Sequence, residues 1–391
     1  MSWPTARLDE LCDIQIGRTP ARADKRFWDG GTHPWASIAD ISRNRNLTTT
    51  KECITDQALS ATKIRVVPAG TVLMSFKLSI GKVAIARIDT CTNEAIASLS
   101  VEDPQTLDRD YLARALESLN FDDAGDRAAK GKTLNKKSLA KLEIPLPPLD
   151  DQKRIAAILD QADELRRKRQ RAIDRLNQLG QAIFHEMFGD PGSNPKGWPV
   201  GTVRDLIAEA KYGTAKKANT DGKGTPILRM GNLSYDGQID LSDMKYVELE
   251  SGEFKKYTTK FGDILFNRTN SKELVGKTAV VMQDEPLAIA GYLVRARMND
   301  EGNPFYVSAY LNSPHGKKTL RNMCKNIVGM ANINAQEFQN IRIAKPPKDR
   351  QDKFQEAILE IESRKAPLRA ALAESERLFH SLQHRAFQGE L

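Results

Sequence analysis

Apolar positions recur along this chain in two rhythms. Between residues 150 and 190 the spacing is sevenfold: Ile155, Ala162, Arg169, Leu176 and Ile183 share one heptad position, and Ile158, Leu165, Ala172, Leu179 and Glu186 a second. That is the pattern of a helix that pairs with another helix. Pro147-Pro148 precedes the run and cannot lie inside a helix, so Asp150 or Asp151 is the expected N-cap. The turn-rich Gly189-Asp190-Pro191-Gly192-Ser193-Asn194-Pro195 ends it. A second such segment, 348–391, carries Phe354, Ile361, Leu368, Ser375 and Leu382 with Ala357, Arg364, Ala371, Leu378 and Arg385. Pro367 inside it predicts a kink or an interruption. The expected helix–helix contacts are Ile155, Ile158, Ala162, Leu165, Leu176, Leu179 and Ile183 against Phe354, Ile361, Leu368, Leu378 and Leu382.

Outside these segments the pattern shortens. Thr71-Val72-Leu73-Met74-Ser75-Phe76, Val83-Ala84-Ile85-Ala86 and Thr278-Ala279-Val280-Val281-Met282 read as strands between Gly, Pro and Asn turns, with helical patches such as Asp110 to Leu119. The fold class is α+β. The second half also repeats the first. From Leu134-Asn135 onward the offset is 199 without a gap: Pro147-Pro148 answers Pro346-Pro347, Gln152 answers Gln351, His185 answers His384 and Phe188 answers Phe387. Upstream, with small shifts, Trp3-Pro4 answers Trp198-Pro199, Gly17 answers Gly213, Gly70 answers Gly262 and Gly81-Lys82 answers Gly276-Lys277. The expected organisation is a first globular domain (1–149), a central helix (150–190), a second globular domain (191–347) and a C-terminal helix (348–391), with the two helices paired antiparallel.

Composition narrows the function. The 391 residues hold 59 basic and 51 acidic side chains, a net +8, with 40% hydrophobic residues, enough to bury real cores. No apolar run approaches the ~18 residues of a membrane span, and MSWPTARLDEL has no secretory h-region, so a cytosolic protein is expected. Cys12, Cys53, Cys91 and Cys324 have no C-x-x-C spacing, which argues against structural zinc and for reduced, buried thiols. Both helical segments are charge-neutral, whereas residues 1–149 carry +2 and residues 191–347 carry +6. The excess positive charge lies in the globular domains.

Catalytic signatures are missing. Gly125-Asp126-Arg127-Ala128-Ala129-Lys130-Gly131-Lys132-Thr133 has five residues between its glycines where a phosphate loop needs four, and Gly222-Lys223-Gly224 is a lone turn. There is no H-E-x-x-H, and His185 and His384 read as helix-packing residues, not metal ligands. No Pro-Asp begins an acidic nuclease motif, and neither Pro-Pro pair follows Asn or Asp as an amino-methylating enzyme of DNA would need. Neither a catalytic nor a metal site is expected.

Two unlike basic domains joined by helices suit an extended polyanion bound at two places, with phosphate contacts for affinity and base-edge contacts for sequence choice. In the first domain the candidate DNA-binding residues are Arg18, Arg22, Lys25, Arg26, Arg43, Asn44, Arg45, Lys77 and Lys82. In the second they are Lys211, Lys216, Lys217, Lys223, Arg229, Asn232, Asn267, Arg268, Asn270 and Lys272. Arg on guanine and Asn on adenine are the pairings direct readout favours. The run Arg166-Arg167-Lys168-Arg169 reads as a solvated helix face, with contact to an acidic partner surface or to the DNA spacer as the alternative.

These features together resemble the specificity subunit of type I restriction–modification systems. The resemblance is carried by Trp28-Asp29-Gly30-Gly31-Thr32-His33-Pro34-Trp35, Pro226-Ile227-Leu228-Arg229-Met230-Gly231-Asn232 and Gly262-Asp263-Ile264-Leu265-Phe266-Asn267-Arg268. It is carried further by Ile144-Pro145-Leu146-Pro147-Pro148-Leu149 leading to Gln152, by Phe188-Gly189-Asp190-Pro191 and by the tail Leu382 to Leu391. It implies target-recognition domains that each read one half of a bipartite, asymmetric double-stranded DNA sequence. It also implies spacer helices that dock two adenine methyltransferase subunits, and motor-nuclease subunits in the full assembly. The chain would then hold no cofactor. S-adenosylmethionine would sit on the methyltransferase, ATP and magnesium on the motor. A central helix of ~55 Å at ~1.5 Å per residue exceeds the ~34 Å of one DNA turn, and domains this different in sequence predict different half-sites. Three readings stay open beside it: a related system with one fused methyltransferase–nuclease partner, an unrecognised enzyme such as a degenerate methyltransferase, and a coiled-coil scaffold.

Overall fold

The structure, a computed structural model, describes residues 3–43, 45–121, 134–327 and 330–391. They form two compact units, Met1–Arg169 with Ala370–Leu391, and Gln170–Arg369. Each unit combines one globular domain with part of each long helix.

The first unit is built on a five-stranded sheet, in the order Cys12–Ile16, Ile96–Val101, Val72–Ser75, Val83–Ala86, Asn46–Leu47. All pairs are antiparallel except the last, and Val72 lies opposite both Leu99 and Ile85. Both faces are buried. Val72, Met74, Ile85 and Leu99 pack under the helix Arg109–Ser118, while Leu73, Ala84 and Ile96 meet Ile41, Leu47 and Val67. This is the period-two alternation of a strand applied to a sheet with two covers, and it explains why the strands read as continuous apolar runs. A smaller sheet, Glu52–Ile54, His33–Ala36 and Cys91–Thr92, encloses Trp35, and Thr5–Arg7 pairs with Glu143–Pro145.

The second unit repeats this plan. Its main sheet runs Ile207–Tyr212, Leu293–Met298, Ile264–Asn267, Thr278–Val280, with Ile264 and Phe266 facing the helix Pro304–Asn312 and Leu265 facing the other cover. The duplication extends to buried polar groups. Gln152 accepts from Asp108 N at 2.8 Å and donates to Thr106 O and Pro147 O; Gln351 accepts from Asn303 N at 2.9 Å and donates to Glu301 O and Pro346 O. Each glutamine thereby ties the first turn of a long helix to the loop before the domain's own helix. Tyr111 and Tyr306 likewise donate to Pro145 O and Ala344 O.

Gly17 and Gly213 show why the repeat keeps glycine there. A Cβ at either position would lie 2.2 Å from a backbone carbonyl oxygen, that of Thr92 or Ile289, so two backbone segments approach more closely than any side chain allows.

The central helix spans Leu149–Phe188 and the C-terminal helix Lys348–Gln388. Asp150 and Asp151 lie in the first turn instead of capping it, because Pro148 already supplies the carbonyl that accepts from Gln152 N at 3.0 Å. The helices pair antiparallel. In the first unit Arg154 donates to Leu391 O and Arg169 to Ala371 O; in the second Lys365 donates to Asn177 Oδ1, and the Phe184 and Phe354 rings lie 5.7 Å apart. The helix runs unbroken through Pro367, contrary to the interruption expected. Both Pro367 and Ser363, whose carbonyl loses its partner, lie on the exposed side where water can serve.

The seam itself differs from the expectation by one residue. Ile155, Ala162, Leu176, Ile183, Phe354, Ile361, Leu368 and Leu382 are buried or half-buried. The second position, however, is Leu159, Arg166, Ile173, Gly180 and Met187, matched by Ile358, Lys365, Leu372, Phe379 and Ala386. Leu165, Leu179 and Leu378 are 44%, 47% and 51% exposed, whereas Ile158 is half-buried as Ala162 and Leu176 are. The apolar count misleads because seam positions hold an arginine, a lysine and a glycine for structural reasons. Arg166 covers Phe379, Lys365 pairs with Glu362 and Asn177, and Gly180 admits Ile358. The Arg166–Arg169 run is thus mostly engaged, with Lys168 its solvated member. His185 and His384 are exposed, not packed. Cys12 and Cys91 are buried, Cys53 and Cys324 half-buried, and all four are free thiols. The Gly125–Thr133 loop lies outside the described residues.

Candidate nucleic-acid interface

In the first domain, the turn after the strand Cys12–Ile16 and the stretch after the helix Asp56–Thr62 meet at a groove of about 240 Å³. Arg18, Lys63, Arg65 and Lys136 line it with Gly17, Thr92 and Ser98, and no acidic side chain does. Lys63 holds a left-handed backbone (φ 53°) at the end of its helix. Arg18 donates through Nη1 to Thr62 O at 2.9 Å, which positions one edge of its guanidinium in the groove while the residue stays exposed. Four cations on a concave, acid-free wall suit a phosphate backbone. Of these, sequence reasoning named only Arg18. The missing signal was Lys63-Ile64-Arg65, where two exposed cations flank a buried Ile64 just after a helix ends, so that the apolar anchor holds both charges at the surface.

The other first-domain candidates divide by what they already touch. Arg22 lies 3.9 Å from the Trp28 ring centroid and is bidentate to Glu52, and Arg26 pairs with Asp24. Lys25, Arg43 and Lys82 are exposed and make no ion pair among the described residues, and Lys77 extends over Phe76. Arg45 is not available to a ligand. It is buried, pairs with Asp160, donates to Asp110 O at 2.8 Å, and so ties the domain to the central helix. Asn44 lies outside the described residues.

In the second domain Arg268 stacks 4.8 Å from the ring centroid of Tyr212, beside Lys211 on the edge strand, and Tyr212 and Tyr292 are both exposed. Half-buried Asn270 ends the short strand Thr269–Asn270, and exposed Lys272 follows in the turn after it. An arginine flanked by exposed aromatics and lysines is a surface fit for a nucleic acid. Lys217 and Lys223 are exposed without ion pairs among the described residues, while Lys211 pairs with Glu209, Lys216 with Glu253 and Arg229 with Asp243. Asn232 and Asn267 are buried. Asn232 accepts from Arg229 N and donates to Asp240 O and Asp243 O, the work of a loop staple; Asn267 accepts from Thr269 N. An Asn side chain can bond nearby backbone in a turn or reach a base edge, so residue type alone could not separate the two roles.

Among the described residues no group of three or more His, Cys, Asp or Glu side chains stands where it could hold a metal ion, and no helix is long and apolar enough to cross a membrane.

Comparison with known proteins agrees with this layout. The family described as "Type I restriction modification DNA specificity domain" matches twice, over residues 2–175 and 195–364. The chain is similar to the type I restriction enzyme EcoKI specificity subunit of Escherichia coli K12, at 27% identity over 271 residues, covering 64% of this chain and 58% of the relative. It is also similar to the MjaIX specificity subunit of Methanocaldococcus jannaschii, at 24% identity, covering 68% of this chain and 66% of the relative. The chain therefore spans 58% and 66% of these two relatives' own lengths. A crystal structure of the type I restriction–modification S subunit from M. genitalium shares the fold, with a TM-score of 0.59 at 15% identity over 98% of this chain and 96% of that one.

Proposed function

This chain belongs to the family of type I restriction modification DNA specificity domains, and on that premise we propose that it is the non-catalytic subunit that reads a bipartite, asymmetric DNA target for partner enzymes. One observation carries the reading: two copies of one framework present different cationic surfaces, an acid-free groove at Arg18, Lys63, Arg65 and Lys136 in the first and an aromatic-flanked Arg268 in the second. A shared frame with unlike faces suits two unlike half-sites. Affinity then comes from phosphate neutralisation, and choice from side chains reaching base edges.

On this reading the partners are two adenine methyltransferase subunits docked on the paired helices and motor-nuclease subunits joined to them. S-adenosylmethionine belongs to the methyltransferase, which flips the adenine out of the duplex. ATP and magnesium belong to the motor. This chain's part is to place that chemistry.

The test is modification-sensitive sequencing of genomic DNA from cells expressing this chain with the methyltransferase encoded beside it, against cells with that methyltransferase alone. Methylated adenines at a two-part asymmetric sequence with a fixed gap, only when both are present, are the expected result. Unchanged modification from a soluble, associated pair overturns the proposal, and a palindromic target overturns the claim of different half-sites.

A further inference from the structure

The second domain holds a lysine that its own fold leaves unpaired. Lys317 lies in the helix Pro314–Met323, one turn before Arg321 and so on the same face. It is 6% exposed, and its Nζ has no hydrogen-bond partner among the described residues. The Tyr235 ring centroid lies 4.5 Å from that Nζ, and the Tyr235 hydroxyl accepts from Arg321 Nη2 at 2.8 Å. Lys277 comes from the facing strand edge and donates to Leu233 O at 2.8 Å. The charged groups acting on Lys317 are the cations Lys277 and Arg321 and one acid, Asp236. Burial, reinforced by Lys277 and Arg321, pulls the Lys317 ammonium down to about 8.

A buried ammonium beside two further cations is unfavourable unless an acceptor joins it. An oxyanion with several acceptor atoms relieves all three at once. We propose that Lys317, Lys277 and Arg321 form a seat for one tetrahedral oxyanion, filled by a backbone phosphate when DNA is bound. Tyr235, 40% exposed, is the cover whose rotation opens Lys317. The seat adjoins the candidate interface, because Lys277 ends the same segment between two sheet strands that carries Arg268, Asn270 and Lys272. It belongs to the second domain alone. Leu320 covers Gly276 as Phe121 covers Gly81, each at 2.8 Å from the Cβ position, and this alignment sets Ser118 and Asp122 opposite Lys317 and Arg321. Only the source of the phosphate rests on the DNA reading; the anion chemistry does not.

The experiment is thermal melting of the full chain in sodium sulfate against sodium chloride at equal ionic strength, for the wild type, Lys317→Met and Arg321→Gln. The expected result is a saturable rise in Tm with sulfate for the wild type, absent in Lys317→Met and weakened in Arg321→Gln. Lys317→Met should itself melt above the wild type without anion, since it removes a buried unpaired charge. Equal sulfate responses in all three proteins overturn the seat. A second arm measures duplex DNA affinity against salt in the assembled complex. A slope reduced by about one in Lys317→Met identifies the anion as a DNA phosphate, while an unchanged slope with the sulfate effect intact assigns the seat to free phosphate. A complex that binds no DNA although sulfate behaves as expected sinks the DNA reading and leaves the seat standing.

Discussion

The guanidinium carbon of Arg166 lies 4.8 Å from the centroid of the Phe379 ring, across the antiparallel helix pair. Arg114 approaches the same ring at 5.6 Å. The seam at this level is therefore an aromatic ring approached by two arginines that share Asp163, and a reading of apolar heptads passes over it.

Phe379, 5% exposed, should consequently matter far more than its neighbour Leu378, which faces water. Phe379→Ala is expected to cost about 3–5 kcal/mol, and Leu378→Ala within about 0.5 kcal/mol of nothing. Urea unfolding of the two variants checks this; comparable losses would restore the seam expected from the sequence.

Acid sensitivity should centre on Asp163. Burial pushes its carboxyl up, but Arg114, Arg167 and Arg166 outweigh burial and hold it below the usual carboxylate range. A carboxyl whose folded value lies below its unfolded value of about 3.9 stabilises the fold above that pH. The contribution disappears as pH falls through the folded value. Asp163→Asn removes one of three carboxylates around Arg114, leaving Glu117 and Asp160, and should cost about 1–3 kcal/mol at pH 7. The difference from wild type should shrink on acidification; a difference independent of pH between 7 and 3 contradicts the assignment.

Gly213→Ala forces backbone apart, because the new Cβ meets Ile289 O at 2.2 Å and Ala290 O at 2.4 Å. A loss of about 1–3 kcal/mol is expected. Gly252→Ala, in the helix Ser251–Tyr257 with open space at its Cβ position, should instead stabilise by up to about 1 kcal/mol. Denaturant midpoints decide between the two signs.

Within the first domain, Arg65→Ala and Lys136→Ala should each weaken DNA binding by the complex almost uniformly across sequences and reduce the salt slope by about one. Arg45→Ala should act through stability instead, since it breaks the pair with Asp160. If unfolding curves are unchanged for Arg45→Ala and the salt slope falls, Arg45 belongs to the interface after all.

The sequence by itself determined the duplication, the α+β class, the two long helices, one of the two seam positions and the strands Val72–Ser75 and Val83–Ala86. All of these are written in periodicity, in turn residues and in spacings that survive between the two halves. It also marked Gly17 and Gly213, because backbone contact tolerates only glycine. Tertiary structure alone decided which polar residues are free. Arg45, Asn232 and Asn267 look like surface ligands in the chain but are buried, whereas Lys63 and Arg65 meet Lys136 from 73 and 71 residues away in the chain. A heptad reading sees only which residues are apolar, so it chose Leu165 and Leu179 over Arg166 and Gly180. The choice in the molecule depends on what faces each position across the pair, an aromatic ring for the arginine and an isoleucine for the glycine. No local pattern contains that information, because it belongs to a helix two hundred residues away.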